Sequence, residues 1–449
     1  MNMPVAFLRH FSAAIAVFGL LIVTMGHADE LDADPEPTAD TLQAETIADQ
    51  RSGDRSEEES ADAQEDSVAG EPEAAVAEQT TTEAEVVAAL DILGTAVTPG
   101  TAVRLSWAAT ELFEGVPVTT PVLVVRGTTP GPVLCLTAAI HGDELNGIEI
   151  VRRVMHDLQP ERLSGTVIGV PIVNVQGFRR GSRYLPDRRD LNRYFPGNPV
   201  GSAASRIAHS FFNQVIGHCD ALVDLHTGSF ERANLPQLRA DLRNPDVVSI
   251  AQGFGSTVVI HGAPSAGTLR YAATRAGVPT VTLEAGGPSQ LEPDEVKHGV
   301  KGIETLLTTL GMIRKLRFWG DPEPVYYKFS WVRADKGGIL ISDVSLGTTV
   351  RKGDRLGTIT DPMTNASSNV VSPYSGRIIG MARNQVVMPG FATFHIGIQT
   401  DEPPVPDEYE SAEEIIAPGA SDVDADIESD LGSEGSRDTV DEFVDSDSE

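Results

Sequence analysis

Cysteine is nearly missing from this chain: two residues in 449, Cys135 and Cys219. So few exclude a disulfide framework as the organiser of the fold. Both sit in or beside apolar strand candidates. Export would allow them to pair, but two buried free thiols are the expected state. Aromatic residues are sparse, 6% of the chain, and almost none falls in 29–85 or 401–449. Those stretches are rich in Ala, Ser, Thr, Asp and Glu. They bury too little surface to offset the entropy of ordering, so both are expected to be disordered. Basic residues are outnumbered, 34 Lys and Arg against 65 Asp and Glu, for a formal charge of −31. The deficit is local. Segment 29–85 holds 20 acidic and 2 basic residues and 401–449 holds 19 and 1, which leaves a formal +5 on the rest. The acidity therefore describes solvated tails. It says nothing of a substrate's charge and argues against nucleic-acid binding.

A long apolar run is also lacking. The run 11–25 is short of the ~20 residues of a membrane helix. It follows Arg9 and His10 and precedes Gly26-His27-Ala28, small residues at the usual cleavage offsets. Residues 1–28 are thus an expected export signal. The mature protein is expected to be periplasmic or secreted, without a stable membrane span; an uncleaved N-terminal anchor is the alternative.

What is present centres on one stretch, His141-Gly142-Asp143-Glu144-Leu145-Asn146-Gly147. The apolar run 133–140 before it reads as a buried strand of a parallel sheet. After it Ile148, Val151, Met155 and Leu158 recur at helical spacing. His141 and Glu144 therefore sit where a strand turns into a helix, the edge at which open α/β sheets bind ligands. An imidazole and a carboxylate three residues apart on a tight loop can reach one divalent metal. By itself the pair is common, since a loop histidine and an acid at a helix N-terminus need no metal.

The rest of the chain repeats the logic. Strands are expected at 122–125, 167–175, 221–225, 258–260 and 279–283. Helices are expected at 203–216, 267–276 and 294–310. The region 86–130 reads as short strands and turns. This alternation predicts an α/β fold with a mixed, mostly parallel sheet flanked by helices. From 325 to 399 only short strands and Gly-centred turns appear, a small C-terminal all-β, barrel-like domain. At three more strand ends stand Asp190-Leu191-Asn192-Arg193, Asp224-Leu225-His226 and Leu283-Glu284. Alone, His226 reads as a buried histidine, Glu284 as a solvated acid, Asn192 as a turn cap and Arg193 as a surface cation. Together they gather metal-competent groups on one edge. Two histidines and a carboxylate bind zinc and leave a position for water, and a further glutamate can take that water's proton.

In this order the motifs resemble the succinylglutamate desuccinylase/aspartoacylase family, a branch of the zinc carboxypeptidase-like fold. The resemblance covers about 115–400. It implies His141, Glu144 and His226 as ligands of Zn2+, and Glu284 as the base that later protonates the leaving amine. It implies Asn192 and Arg193 as binders of the substrate carboxylate. It also implies an upstream arginine that steadies the oxyanion. Arg183 matches best, with Arg188 and Arg189 as alternatives. Asp224 is a candidate partner for a ligand histidine, and Asp143 another. His261, His298 and His395 read as structural or surface residues.

The implied organisation is a signal at 1–28, an acidic segment at 29–90 and a zinc amidohydrolase/carboxypeptidase-like catalytic domain at 91–320. A β domain resembling a lipoyl/biotinyl barrel follows at 321–400, then an acidic tail at 401–449. Residues 361–370 contain no lysine, so no lipoate or biotin carrier is expected. In the family such a domain packs near the zinc cleft and favours small substrates. The expected activity is hydrolysis of the amide bond of a small N-acyl amino acid or similar amide. The alternatives are a carboxypeptidase-like peptidase on short peptides and a non-catalytic periplasmic binding or adaptor protein.

Overall fold

The computed structural model describes residues 89–113, 116–315 and 323–400. The expected export signal, the acidic tail and nearly all of the acidic N-terminal segment lie outside the described residues. The described chain opens with β1 (Leu90–Ile92), β2 (Thr95–Val97), β3 (Thr101–Phe113), β4 (Val116–Arg126) and β5 (Thr129–Ala138). Then come α1 (Asn146–Asp157), β6 (Ser164–Val170), α2 (Val175–Arg179), α3 (Ala203–Gln214) and β7 (Ala221–His226). They are followed by β8 (Arg232–Ala240), α4 (Pro245–Gly253), β9 (Val258–His261), α5 (Leu269–Arg275), β10 (Thr280–Gly286) and α6 (Pro293–Thr309). The remaining elements are strands: β11 (Val325–Tyr326), β12 (Lys328–Arg333), β13 (Gly338–Ser342), β14 (Thr349–Val350), β15 (Arg355–Thr360), β16 (Ser367–Val371), β17 (Gly376–Ala382), β18 (Gln385–Val387) and β19 (Ala392–Ile398).

The main sheet runs in the order β12-β19-β17-β8-β10-β7-β5-β6-β4-β3. Its middle, β10-β7-β5-β6, is parallel, and β8, β4 and β3 join antiparallel. Alternate side chains of β5 and β7 serve opposite faces, as the two-residue period of a strand requires. Leu134, Leu136, Val223 and Leu225 pack with Ile150, Val154, Ile250 and Ile303 of α1, α4 and α6. Cys135 and Leu222 pack with Ile207, Phe211 and Leu269 of α3 and α5. Both faces are covered, which explains the unbroken apolar runs of these strands. It also leaves only the carboxyl edge of the parallel strands open for His141, His226 and Glu284.

Four expectations need correction. Cys135 and Cys219 are not free thiols; they form a disulfide with a Cα–Cα distance of 5.7 Å. Parallel pairing of β5 with β7, Leu134 beside Ala221, brings them together across 84 residues. The region 86–130 holds two long strands, because β3 and β4 pair with each other from Thr101–Arg126 to Phe113–Val116. Strand length here is set by the partner rather than by local apolar content. The strand expected over 167–175 stops at Val170, and residue 175 begins α2, whose N-terminus is capped by Asn174 Oδ1 accepting from Gly177 N at 2.8 Å. Finally, the helix–strand alternation read from the sequence skips β8 and α4. β8 reads Arg-Ala-Asn-Leu-Pro-Gln-Leu-Arg-Ala; Pro236 and a polar face hide its strand signal.

Among the described residues, 323–400 contains strands and no helix. Leu340, Leu356, Ile378, Phe394 and Ile396 form an apolar cluster there. These strands are continuous with the main sheet, since β17 pairs with β8 at Gly380–Asn234, Met381–Ala233 and Ala382–Arg232.

Candidate active site

β5 ends at Ala138. Ala139 adopts a left-handed φ of 51° and swings the chain into the His141 loop. Gly142 is required there by close approach: a Cβ at this position would lie 2.1 Å from the backbone of Gly177 and Phe178. The loop sets His141 and Glu144 at the head of α1. His226 is the last residue of β7, the strand next to β5, and Glu284 on β10 pairs directly with His226. Parallel register thus puts three of the expected groups on one edge.

The buried side chains of His141, Glu144 and His226 converge. Glu144 Oε1 lies 2.8 Å from His141 Nδ1, and Oε2 lies 2.9 Å from His226 Nδ1. The two Nδ1 atoms are 3.2 Å apart. One ligand atom from each of the three residues fits within 4.8 Å, the spread of a single metal's donors. Two imidazole nitrogens and a carboxylate are the donor set that suits zinc and leaves a coordination position open. The opposite ring nitrogens are held by carboxylates. His226 Nε2 faces Asp224 Oδ2 at 2.8 Å, and His141 Nε2 faces Asp190 Oδ1 at 3.1 Å. A carboxylate on Nε2 keeps the proton there and presents the Nδ1 lone pair. Asp143 makes no hydrogen bond to either histidine; its Oδ1 is buried without a partner.

The electrostatics favour a cation at this point. Burial alone would raise the Glu144 carboxyl, but His141 and His226 hold it well below the usual carboxylate range. Burial also works against charging His226, yet Asp224 and Glu144 raise it well above the ordinary histidine value.

Arg183 is buried against the same cluster. Its guanidinium donates to Glu144 Oε1 at 3.3 Å, Asp190 Oδ2 at 2.9 Å and Ser229 Oγ at 2.9 Å. The alternatives point elsewhere: Arg188 is exposed, and Arg189 is exposed and bound to Asp187. Asn192 and Arg193 lie on a short turn capped by Asp190. Both line the cleft with the histidines, Glu144, Arg183 and Glu284. Asn192 Oδ1 accepts from Leu269 N at 2.8 Å, which fixes the turn against α5.

Glu284 carries no metal-cluster contact. Its Oε1 accepts from Arg239 Nε and its Oε2 from Asn234 Nδ2, each at 3.1 Å. Sequence reasoning gave no role to Asp190, Ser229, Asn234 or Arg239. For Asp190 a signal existed, since it opens the Asp-Leu-Asn-Arg motif. For Asn234 and Arg239 it did not, because β8 itself was not legible. His261, His298 and His395 are engaged away from the cluster. Leu242 N donates to His261, Thr257 Oγ1 bonds His298, and His395 stacks on Trp331.

Residues 130–310 match the model of the succinylglutamate desuccinylase/aspartoacylase catalytic domain. The N-alpha-acetyl-L-2,4-diaminobutyric acid deacetylase of Halomonas elongata is 28% identical over 253 residues, 54% of this chain and 74% of that protein. The succinylglutamate desuccinylase of Burkholderia lata is 28% identical over 204 residues, but the match spans only 56% of its length and 41% of this chain. A succinylglutamate desuccinylase structure from Silicibacter sp. TM1040 superposes with a TM-score of 0.60 at 24% identity, covering 66% of this chain and 94% of that one. The product-bound ectoine utilization protein EutE of Ruegeria pomeroyi gives 0.60 at 24%, covering 66% and 95%. At that identity the structures speak for the fold, a mixed α/β architecture with a mainly parallel central sheet. Residues 130–310 thus correspond to the catalytic domain of the succinylglutamate desuccinylase/aspartoacylase family.

Proposed function

We propose that the protein is a zinc-dependent amidohydrolase that releases a carboxylic acid and a free amine from a small N-acyl amino acid. The observation that carries this reading is the convergence of His141 Nδ1, Glu144 and His226 Nδ1, with Glu284 in register on the next strand. The relatives support the substrate class, since one is named as a deacetylase and another as a desuccinylase of an amino acid.

His141, Glu144 and His226 hold the zinc ion in this reading. When bound, zinc polarises the scissile carbonyl and acidifies water at neutral pH. Glu284 takes the proton of the attacking water and returns it to the amide nitrogen as the C–N bond breaks. Arg239 and Asn234 hold both carboxylate oxygens of Glu284, so the base meets the water in one orientation. Arg183 steadies the charge that develops on the carbonyl oxygen. Arg193 takes the substrate carboxylate with its two-pronged donor face, beside Asn192.

We also read the protein as exported, with the 1–28 leader as its signal. The Cys135–Cys219 bridge supports this, because such bonds persist in oxidising compartments. The strands after 320 are read as a non-carrier relative of the lipoyl/biotinyl barrel.

The test is the purified protein assayed on N-acyl amino acids beside dipeptides, with metal analysis. The expected result is bound zinc, preference for the acylated amino acids, and loss of turnover in Glu284→Gln by ~10²–10⁴-fold. Preference for dipeptides supports a peptidase. Absence of metal together with full activity of Glu284→Gln refutes the hydrolase.

A further inference from the structure

Arg232 opens β8, six residues after His226, and the chemistry above does not use it. It is 6% exposed. Among the described residues no carboxylate lies within ion-pair distance. Its guanidinium instead sits over three rings: Phe230 at 5.6 Å, Trp331 at 5.4 Å and Phe391 at 5.2 Å. A buried cation without a counter-ion is costly, and aromatic faces are the partners that offset it. Burial, then Arg183 and Arg333, bring its pKa down to about 10, so it stays charged at neutral pH.

The cage joins two parts of the chain. Trp331 lies on β12 and Phe391 just before β19, whereas Phe230 lies in the loop that leaves His226. That loop is strained: Phe230 and Glu231 both hold left-handed φ values, 54° and 58°. Non-glycine residues keep such a conformation only where surrounding contacts impose it. Here Arg232 Nε donates to Ser229 O at 3.1 Å. From the C-terminal side, Arg383 N and Gln385 Nε2 donate to Glu231 O at 2.8 and 3.0 Å. The loop so pinned delivers Ser229 Oγ to Arg183 at 2.9 Å, and Arg183 shares the Phe230 ring at 5.6 Å.

We propose that Arg232 is a positioning residue that acts through Ser229 and Phe230 to aim Arg183 at the reacting carbonyl. The C-terminal strands thereby set the oxyanion geometry through one caged guanidinium. This rests on the role of Arg183 given above.

The test is a double-mutant cycle. Arg232→Met is expected to lower kcat by ~10- to 10²-fold, the loss that a small misplacement of a catalytic group produces, with KM within about threefold. Arg232→Lys keeps a cation over the rings but loses the Nε donor, and is expected to fall between. In an Arg183→Ala background, Arg232→Met should cost less than about twofold more, because its effect travels through Arg183. Zinc content should match the unaltered protein. Effects that multiply across the cycle overturn the proposal, as does a rise in KM with kcat unchanged.

A crystal structure of Arg232→Met gives a readout free of activity. Arg183 is expected to leave Ser229; if the 2.9 Å contact persists, the proposal fails even if no substrate has been found. Absence of any deacylase activity in the unaltered protein refutes the proposed function instead. If Arg232→Met does not fold, Trp331→Leu and Phe391→Leu enter the same cycle with the same criteria.

Discussion

Asp224→Asn isolates how the site prepares a metal ligand. Asp224 is 1% exposed and has both oxygens in use. Oδ1 accepts the Thr137 hydroxyl at 2.7 Å, and Oδ2 faces His226 Nε2 at 2.8 Å. In the zinc site proposed above, the Asp224 carboxylate would hold the proton on Nε2 and leave the Nδ1 lone pair to the metal. An asparagine fits the same space in two ways. With its oxygen kept on Thr137, its NH2 group faces Nε2, the imidazole proton moves to Nδ1, and the lone pair is gone. With its oxygen on Nε2, its NH2 group meets Thr137, whose own hydrogen loses its acceptor in a fully buried place. Leaving such a donor unpaired costs about 1–3 kcal/mol. Either way zinc affinity should fall by ~10- to 100-fold, which is about 1.4–2.8 kcal/mol. Thr137→Val leaves Oδ2 on Nε2 and should cost less than about threefold in affinity. Competition titration against a chromophoric zinc chelator at neutral pH measures both variants. Asp224→Asn within twofold of the unaltered protein, or no weaker than Thr137→Val, would show that the carboxylate does not set the tautomer.

Arg193→Ala should raise KM for N-acyl amino acids by ~10-fold or more, the loss of a charge-assisted contact, with a smaller change in kcat; steady-state kinetics decides, and an unchanged KM places the substrate carboxylate elsewhere. The Cys135–Cys219 bridge closes a loop of 84 residues, so its loss should lower stability by about 4.5 kcal/mol on the chain-entropy model. Thermal melts with and without reductant test this: reductant should bring the native protein to the melting point of Cys135→Ser/Cys219→Ser and leave that variant unmoved. Glu295 has its carboxyl pushed up to about 7, by burial and then by Glu292 and Asp294. A folded-state pKa above the unfolded value means stability is lost as pH rises between the two, from about 4.5 to 7. Glu295→Gln should therefore raise the melting temperature at pH 8 and leave it nearly unchanged at pH 4.5; equal shifts at both values contradict the assignment.

The sequence by itself determined the strand-to-helix loop at His141 and the strand ends at His226 and Glu284. Buried parallel strands write themselves as continuous apolar runs, and the polar residues that interrupt those runs mark the carboxyl edge. The mostly parallel centre of the sheet followed from the alternation of elements. Tertiary structure alone decided what meets what. Cys135 and Cys219 bond because β5 and β7 are neighbours, and strand order has no local signature. Asp190 reaches His141 across 49 residues, and Asn234 and Arg239 reach Glu284 from a strand whose proline and polar face conceal it. Asp143, beside Glu144 in sequence, lies in the turn before α1 and bonds neither histidine, whereas Asp224 shares a face of β7 with His226 two residues on and bonds it. Arg232 shows the same limit most plainly. Its cage draws on Phe230, Trp331 and Phe391, residues brought together only when β17 lies down against β8. Local propensity fixes elements, while the partners of a buried charge are fixed by pairing over long separations, and no window of sequence contains them.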